Sequence, residues 1–125
     1  MSLARNIGDL PNGDDAPVFA CRAWINFNGE NTVAIRGSGN VSSLTDLGPG
    51  HYRITFTNAM PDDDYSVVLG QNIYTFTSGS RTVLNGCQAD QHLYDTYFEI
   101  FVGSVSQGSA GSAVDSASVL AAIFR

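Results

Sequence analysis

The chain has 125 residues, with 12 acidic side chains against six Arg and no Lys, for a formal net charge of −6. The Arg residues are scattered and outnumbered, which argues against nucleic acid, because phosphate recognition needs clustered cations. No run of about 18 apolar residues exists to form a membrane-spanning helix, and the polar residues that follow the start argue against a secretory signal. At 43% hydrophobic, with seven Phe, five Tyr and one Trp, the chain can bury the core of one domain.

Residues 1–16 end in Asp9-Leu10-Pro11-Asn12-Gly13-Asp14-Asp15. That density of turn formers predicts a linker or lead-in, with the domain occupying residues 17–125. Residues 18–27 alternate, placing Phe19, Cys21, Ala23, Ile25 and Phe27 on one face and Trp24 on the other. Asn28-Gly29 predicts a tight hairpin turn into a return strand over 32–36. Gly37-Ser38-Gly39-Asn40 is expected to break the chain before a short strand at 41–45.

The cleanest alternation is Gly50-His51-Tyr52-Arg53-Ile54-Thr55-Phe56-Thr57, with Tyr52, Ile54 and Phe56 inward and His51, Arg53 and Thr55 outward. Further strands are expected at 65–69, 73–76, 81–84 and 97–102. Residues 85–91 read as a loop, and the Gly/Ser-rich residues 103–113 as a flexible surface loop. Residues 118–125 fit either a strand or a helical stripe. A strand is expected, and because it is apolar on both faces it must be covered on both. Short strands with turn signals every 8–12 residues predict an all-β antiparallel β-sandwich, jelly-roll-like, in a single domain.

Several phrases together resemble the C-terminal domains of tail-fibre and related virion proteins of tailed bacteriophages and prophages. They are Ala23-Trp24-Ile25-Asn26-Phe27-Asn28-Gly29, Asn40-Val41-Ser42-Ser43, Gly50-His51-Tyr52-Arg53-Ile54-Thr55-Phe56, Ala59-Met60-Pro61, Tyr65-Ser66-Val67 and the terminal Ile123-Phe124-Arg125. The resemblance covers residues 17–69 and the last few residues; residues 70–117 carry no such motif. It implies a virion component made in the host cytoplasm: a module at the tip of a homotrimeric fibre, joined to other tail proteins, that attaches to a host-surface glycan or protein. A two-faced apolar last strand independently predicts a homo-oligomer, with Trp24, Val119, Ala121 and Ile123 as candidate interface residues.

No catalytic set is visible. His51 and His92 are the only histidines, no Gly-x-Ser-x-Gly elbow holds a nucleophile, and Glu30 and Glu99 have no evident pairing for glycosidase chemistry. No metal site or cofactor is expected: Cys21 and Cys87 lack zinc-ligand spacing, and Asp62-Asp63-Asp64 lacks the alternating ligand pattern of a calcium loop and reads as a solvated turn. The two Cys are expected to be small buried hydrophobes unless the fold brings their Cα atoms within about 7 Å. A binding role is better supported. Sugars stack on aromatic rings and hydrogen-bond to polar side chains, and Gln91, His92, Tyr94, Asp95 and Tyr97, with Tyr74 nearby, supply both. Specificity is expected in loops at one end of the sandwich, around residues 86–95. The alternatives are a free-standing carbohydrate-binding, lectin-like module and, more remotely, a polysaccharide hydrolase.

Overall fold

A computed structural model describes residues 20–71, 80–83, 93–106 and 112–125. The expected linker over 1–16, the strand at 73–76, the loop at 85–91 and Cys87 lie outside the described residues.

Ten strands are described, and no helix is found among the described residues. They are β1 (Cys21–Asn28), β2 (Ala34–Gly39), β3 (Val41–Gly48), β4 (His51–Phe56), β5 (Ser66–Gln71), β6 (Ser80–Val83), β7 (Tyr97–Phe101), β8 (Gly103–Ser106), β9 (Ser112–Ala113) and β10 (Val119–Phe124). One sheet has the order β2-β1-β10-β5, a second β3-β4-β7 and a small third β6-β8-β9; all pairings are antiparallel. The order establishes an all-β sandwich without establishing jelly-roll connectivity.

The core follows from period-two burial. Ala23, Ile25 and Phe27 of β1 and Val119, Ala121 and Ile123 of β10 meet Tyr52, Ile54 and Phe56 of β4 and Phe98 and Ile100 of β7. Burying each large apolar side chain contributes about 1.5–3 kcal/mol relative to leaving it in water. Aromatic rings mesh edge-on, Phe27 with Tyr52 at 5.1 Å and Phe56 with Tyr65 at 5.7 Å between centroids. Residues 119–124 are therefore a strand, as the two-faced pattern predicts.

Several local expectations are corrected. The loop after Asn28 runs from Gly29 to Val33, longer than a two-residue turn. Asn28 shapes it by donating to the carbonyl of Glu30 and accepting from its amide, while Asn31 takes the left-handed conformation (φ 57°). Gly37 and Gly39 do not break the chain but lie within β2, where the Trp24 indole covers them. The corner comes one residue later, at Asn40 (φ 56°). Residues 103–106 and 112–113 are strands rather than loop. Cys21 is an exposed free thiol, because a register shift between Cys21 and Ala23 takes it out of the inward alternation.

Candidate functional site

The outward face of the β3-β4-β7 sheet carries the most chemically varied set of side chains described. Alternation that buries Tyr52, Ile54 and Phe56 turns His51 and Arg53 outward, and the same alternation on β7 turns Tyr97, Glu99 and Phe101 outward. Antiparallel register sets His51 opposite Phe101, Arg53 opposite Glu99 and Thr55 opposite Tyr97. Cross-strand partners stand close enough to interact directly.

Glu99 is the centre of the group and is only 2% exposed. Arg53 donates Nε (2.9 Å) and Nη2 (2.6 Å) to Glu99 Oε1, and His51 Nε2 lies 2.8 Å from Oε2. The carboxylate beside it raises the Arg53 pKa above its ordinary value, so the guanidinium stays charged. Rings continue the row on both sides. His51 stacks on Phe101 at 4.0 Å, the Arg53 guanidinium sits 4.4 Å over the Tyr97 ring, and Tyr97 lies 4.5 Å from Tyr94. Burial, and after it the neighbouring Tyr94, raises the Tyr97 phenol pKa.

The Tyr94–Tyr97 turn is held by the scaffold. The Tyr94 amide donates to the Tyr97 carbonyl (2.9 Å), Met60 N to the Asp95 carbonyl (2.7 Å) and Phe56 N to the Thr96 carbonyl (2.9 Å). The Tyr65 hydroxyl donates to the Tyr94 carbonyl at 3.0 Å. Two tyrosines are thus presented from fixed backbone, Tyr94 42% exposed and Tyr97 half-buried. Comparison with protein-family models, with curated proteins and with solved structures gave no match to this chain.

Of the expected ligand residues, Tyr94 and Tyr97 are brought together and Asp95 is exposed between them; Gln91, His92 and Tyr74 lie outside the described residues. Alternation alone puts His51 on an exposed polar face, and Glu99 is considered there only as a glycosidase partner for Glu30; neither Arg53 nor Phe101 is singled out. The signal available was opposite charge at outward positions of two well-alternating strands, but nothing in the sequence says that β4 and β7 are neighbours. Both oxygens of Glu99 accept from basic side chains, an arrangement that orients Arg53 and His51. Among the described residues no three His, Cys, Asp or Glu side chains cluster to hold a metal ion.

The expected interface residues divide. Trp24 is exposed at 47%, but Val119, Ala121 and Ile123 face the core of their own subunit. On β10 the outward residues are Leu120, Ala122 and Phe124, so any contact made by this strand's outer face falls to them rather than to the three expected.

Proposed function

We propose that this domain is a non-enzymatic receptor-binding module of a tailed-bacteriophage tail fibre or related virion protein, and that it attaches to the host surface by holding a glycan on the Tyr94–Tyr97–Arg53 platform. The motif resemblance over residues 17–69 supports the virion setting. The observation that carries the binding role is the packed row of Tyr94, Tyr97 and Arg53 over a buried Glu99. The rings offer apolar faces to sugar C–H groups, and a guanidinium fixed by a carboxylate offers donors to hydroxyls without first losing side-chain freedom. The absence of an elbow nucleophile and the occupied oxygens of Glu99 favour binding over hydrolysis.

A glycan array and a host-cell binding assay on the intact protein test this. Tyr94→Ala removes an exposed ring, so the fold should persist, and glycan affinity should fall at least about tenfold, or 1.4 kcal/mol. Retention of full binding by the folded Y94A and Y97A proteins, or the absence of any host-surface binding by the wild type, would overturn the reading.

A further inference from the structure

Tyr94, Tyr97 and Arg53 lie at one side of a wider polar face that continues onto β3. We infer that the outward face of the β3-β4-β7 sheet binds an uncharged oligosaccharide, more than one sugar long, laid across the strands from the two tyrosines to Thr45 and Ser43. This rests on the glycan-binding role proposed for the platform and adds its extent and its charge selectivity.

Register carries the extent. Thr45 on β3 stands opposite Arg53, and Ser43 opposite Thr55. Directly opposed residues of an antiparallel pair share a face. Val41 and Leu44 of the same strand pack against the core, whereas Ser43 and Thr45 are exposed. A line across the sheet therefore runs from Tyr94 to Tyr97, on to the Arg53 guanidinium and then to Thr45. From β7 to β3 is two strand spacings, or about 10 Å. Tyr94 lengthens the line beyond β7. A single sugar seated on Tyr94 leaves Thr45 untouched, and a chain of about two or three units reaches both.

The side chains change character along that line. Ring faces stand at the tyrosine end, where sugar C–H groups pack. Hydroxyls stand at the β3 end, and a Ser or Thr hydroxyl both donates and accepts, as a sugar hydroxyl does.

Charge selects an uncharged chain. The Arg53 charge is already met by Glu99 at 2.6 Å, and two of its nitrogens donate there. His51 turns Nε2 to the same carboxylate. Asp95 between the tyrosines and Asp46 beside Thr45 are both exposed. The whole chain carries −6. A uronate or sialylated ligand would approach a negative field, and the Arg that could receive it already has an anion beside it.

The test is an array of neutral hexose and N-acetylhexosamine oligosaccharides, one to four units long, beside matched chains that carry uronate or sialate. Calorimetry on the best binder follows, with the intact protein throughout. Neutral chains are expected to bind, more tightly at three units than at one. Their affinity should change less than about twofold between about 0.05 and about 0.5 M salt, because no ion pair to the ligand is screened. Thr45→Val keeps a β-branched side chain and removes the hydroxyl. It should lower the affinity for the three-unit chain by about two- to tenfold, the loss of one hydrogen bond, with an unchanged circular-dichroism spectrum. Should T45V fail to fold, Ser43→Ala decides by the same measure. Preferential binding of the acidic chains overturns the inference, and so do folded T45V and S43A proteins that bind the three-unit chain as the wild type does. In both cases Y94A still loses binding and the platform stands. Full binding by Y94A and Y97A, or no binding to any glycan, removes the platform and this inference with it.

Discussion

Arg53 on β4 and Glu99 on β7 face one another across the sheet, with two guanidinium nitrogens at 2.9 and 2.6 Å from a single carboxylate oxygen. The two ends of the pair are unequally placed: the Glu99 side chain is 3% exposed and that of Arg53 39%. The consequences of breaking it are therefore unequal. Glu99→Gln keeps the shape and leaves an Arg that can turn to water, so it should cost about 1–3 kcal/mol in urea unfolding. Arg53→Ala takes the paired cation away from a buried carboxylate and should destabilise more than E99Q. The double variant should cost less than the sum of the two. Equal effects, or additive ones, would contradict this account of the site.

Among the described residues Tyr52 is the largest fully buried side chain. Its hydroxyl lies 2.8 Å from Asp115 Oδ1 and 3.0 Å from the Gly29 carbonyl, and Asp115 Oδ1 also accepts from Gly50 N. The Gly29 backbone passes so close that an added Cβ would strike the phenol. Tyr52→Phe should cost about 1–2 kcal/mol without changing the fold. Burial, and then Asp115, raises the phenol pKa well above the ordinary tyrosine value. Below about pH 10 both folded and unfolded chains hold the proton, and above it only the folded chain does. Stability should fall as pH rises past about 10, and Y52F should lose part of that fall. An alkaline profile identical in the two proteins would refute it.

Asn40 turns the chain from one sheet to the other. It holds φ 56° while its Nδ2 donates to the carbonyls of Arg22 (3.2 Å) and Asn58 (3.0 Å) and its Oδ1 accepts from Asn58 N (2.7 Å). Asn→Ala loses all three bonds and meets the left-handed penalty of about 1–2 kcal/mol; Asn→Gly loses only the bonds. Thermal unfolding should rank wild type above N40G and N40G above N40A. The reverse order of the two variants would show that the left-handed conformation is not held there, and a wild type no more stable than N40G would show that the side-chain bonds do not act.

The alternation that a half-buried strand imposes was plain at β4 and on the inward face of β1, because there sequence and environment share one period. Residues 118–125 fit two periods, and the strand found there follows the apolar character of both faces, not period alone. The Gly37-Ser38-Gly39 stretch was misread because what holds it in a strand is the Trp24 ring lying over it, a contact made across β1 and β2. Cys21 was misread because a bulge interrupts the register. The Arg53–Glu99 pair spans 46 positions, and the Arg125–Asp62 pair 63. Period reveals which face a residue occupies; it does not reveal which strand lies beside it.

Arg125 and Asp62 give the last test. The acidic turn, expected to be merely solvated, is tied to the end of β10: Arg125 donates Nε to Asp62 Oδ1 at 2.7 Å and Nη2 to Oδ2 at 2.6 Å, while the Asp64 amide donates to Asp62 Oδ1 at 3.0 Å. These contacts, Arg125 foremost, pull the Asp62 pKa below the ordinary carboxylate value. A carboxyl depressed in the folded state stabilises above its unfolded pKa of about 3.9, and that contribution is lost as pH falls through the lower folded value. Both side chains are substantially exposed, so water and salt screen the pair and its share of total stability is small. The titration itself is the sharper measurement. Carboxyl NMR should show Asp62 titrating below its ordinary range in the wild type and closer to it in Arg125→Gln, a change that keeps the Arg125 carbonyl, to which Arg22 Nε donates at 3.0 Å. Raising the salt to about 1 M should move the wild type part of the way toward the variant. An Asp62 curve indifferent to both changes would mean that the paired geometry is not held in solution.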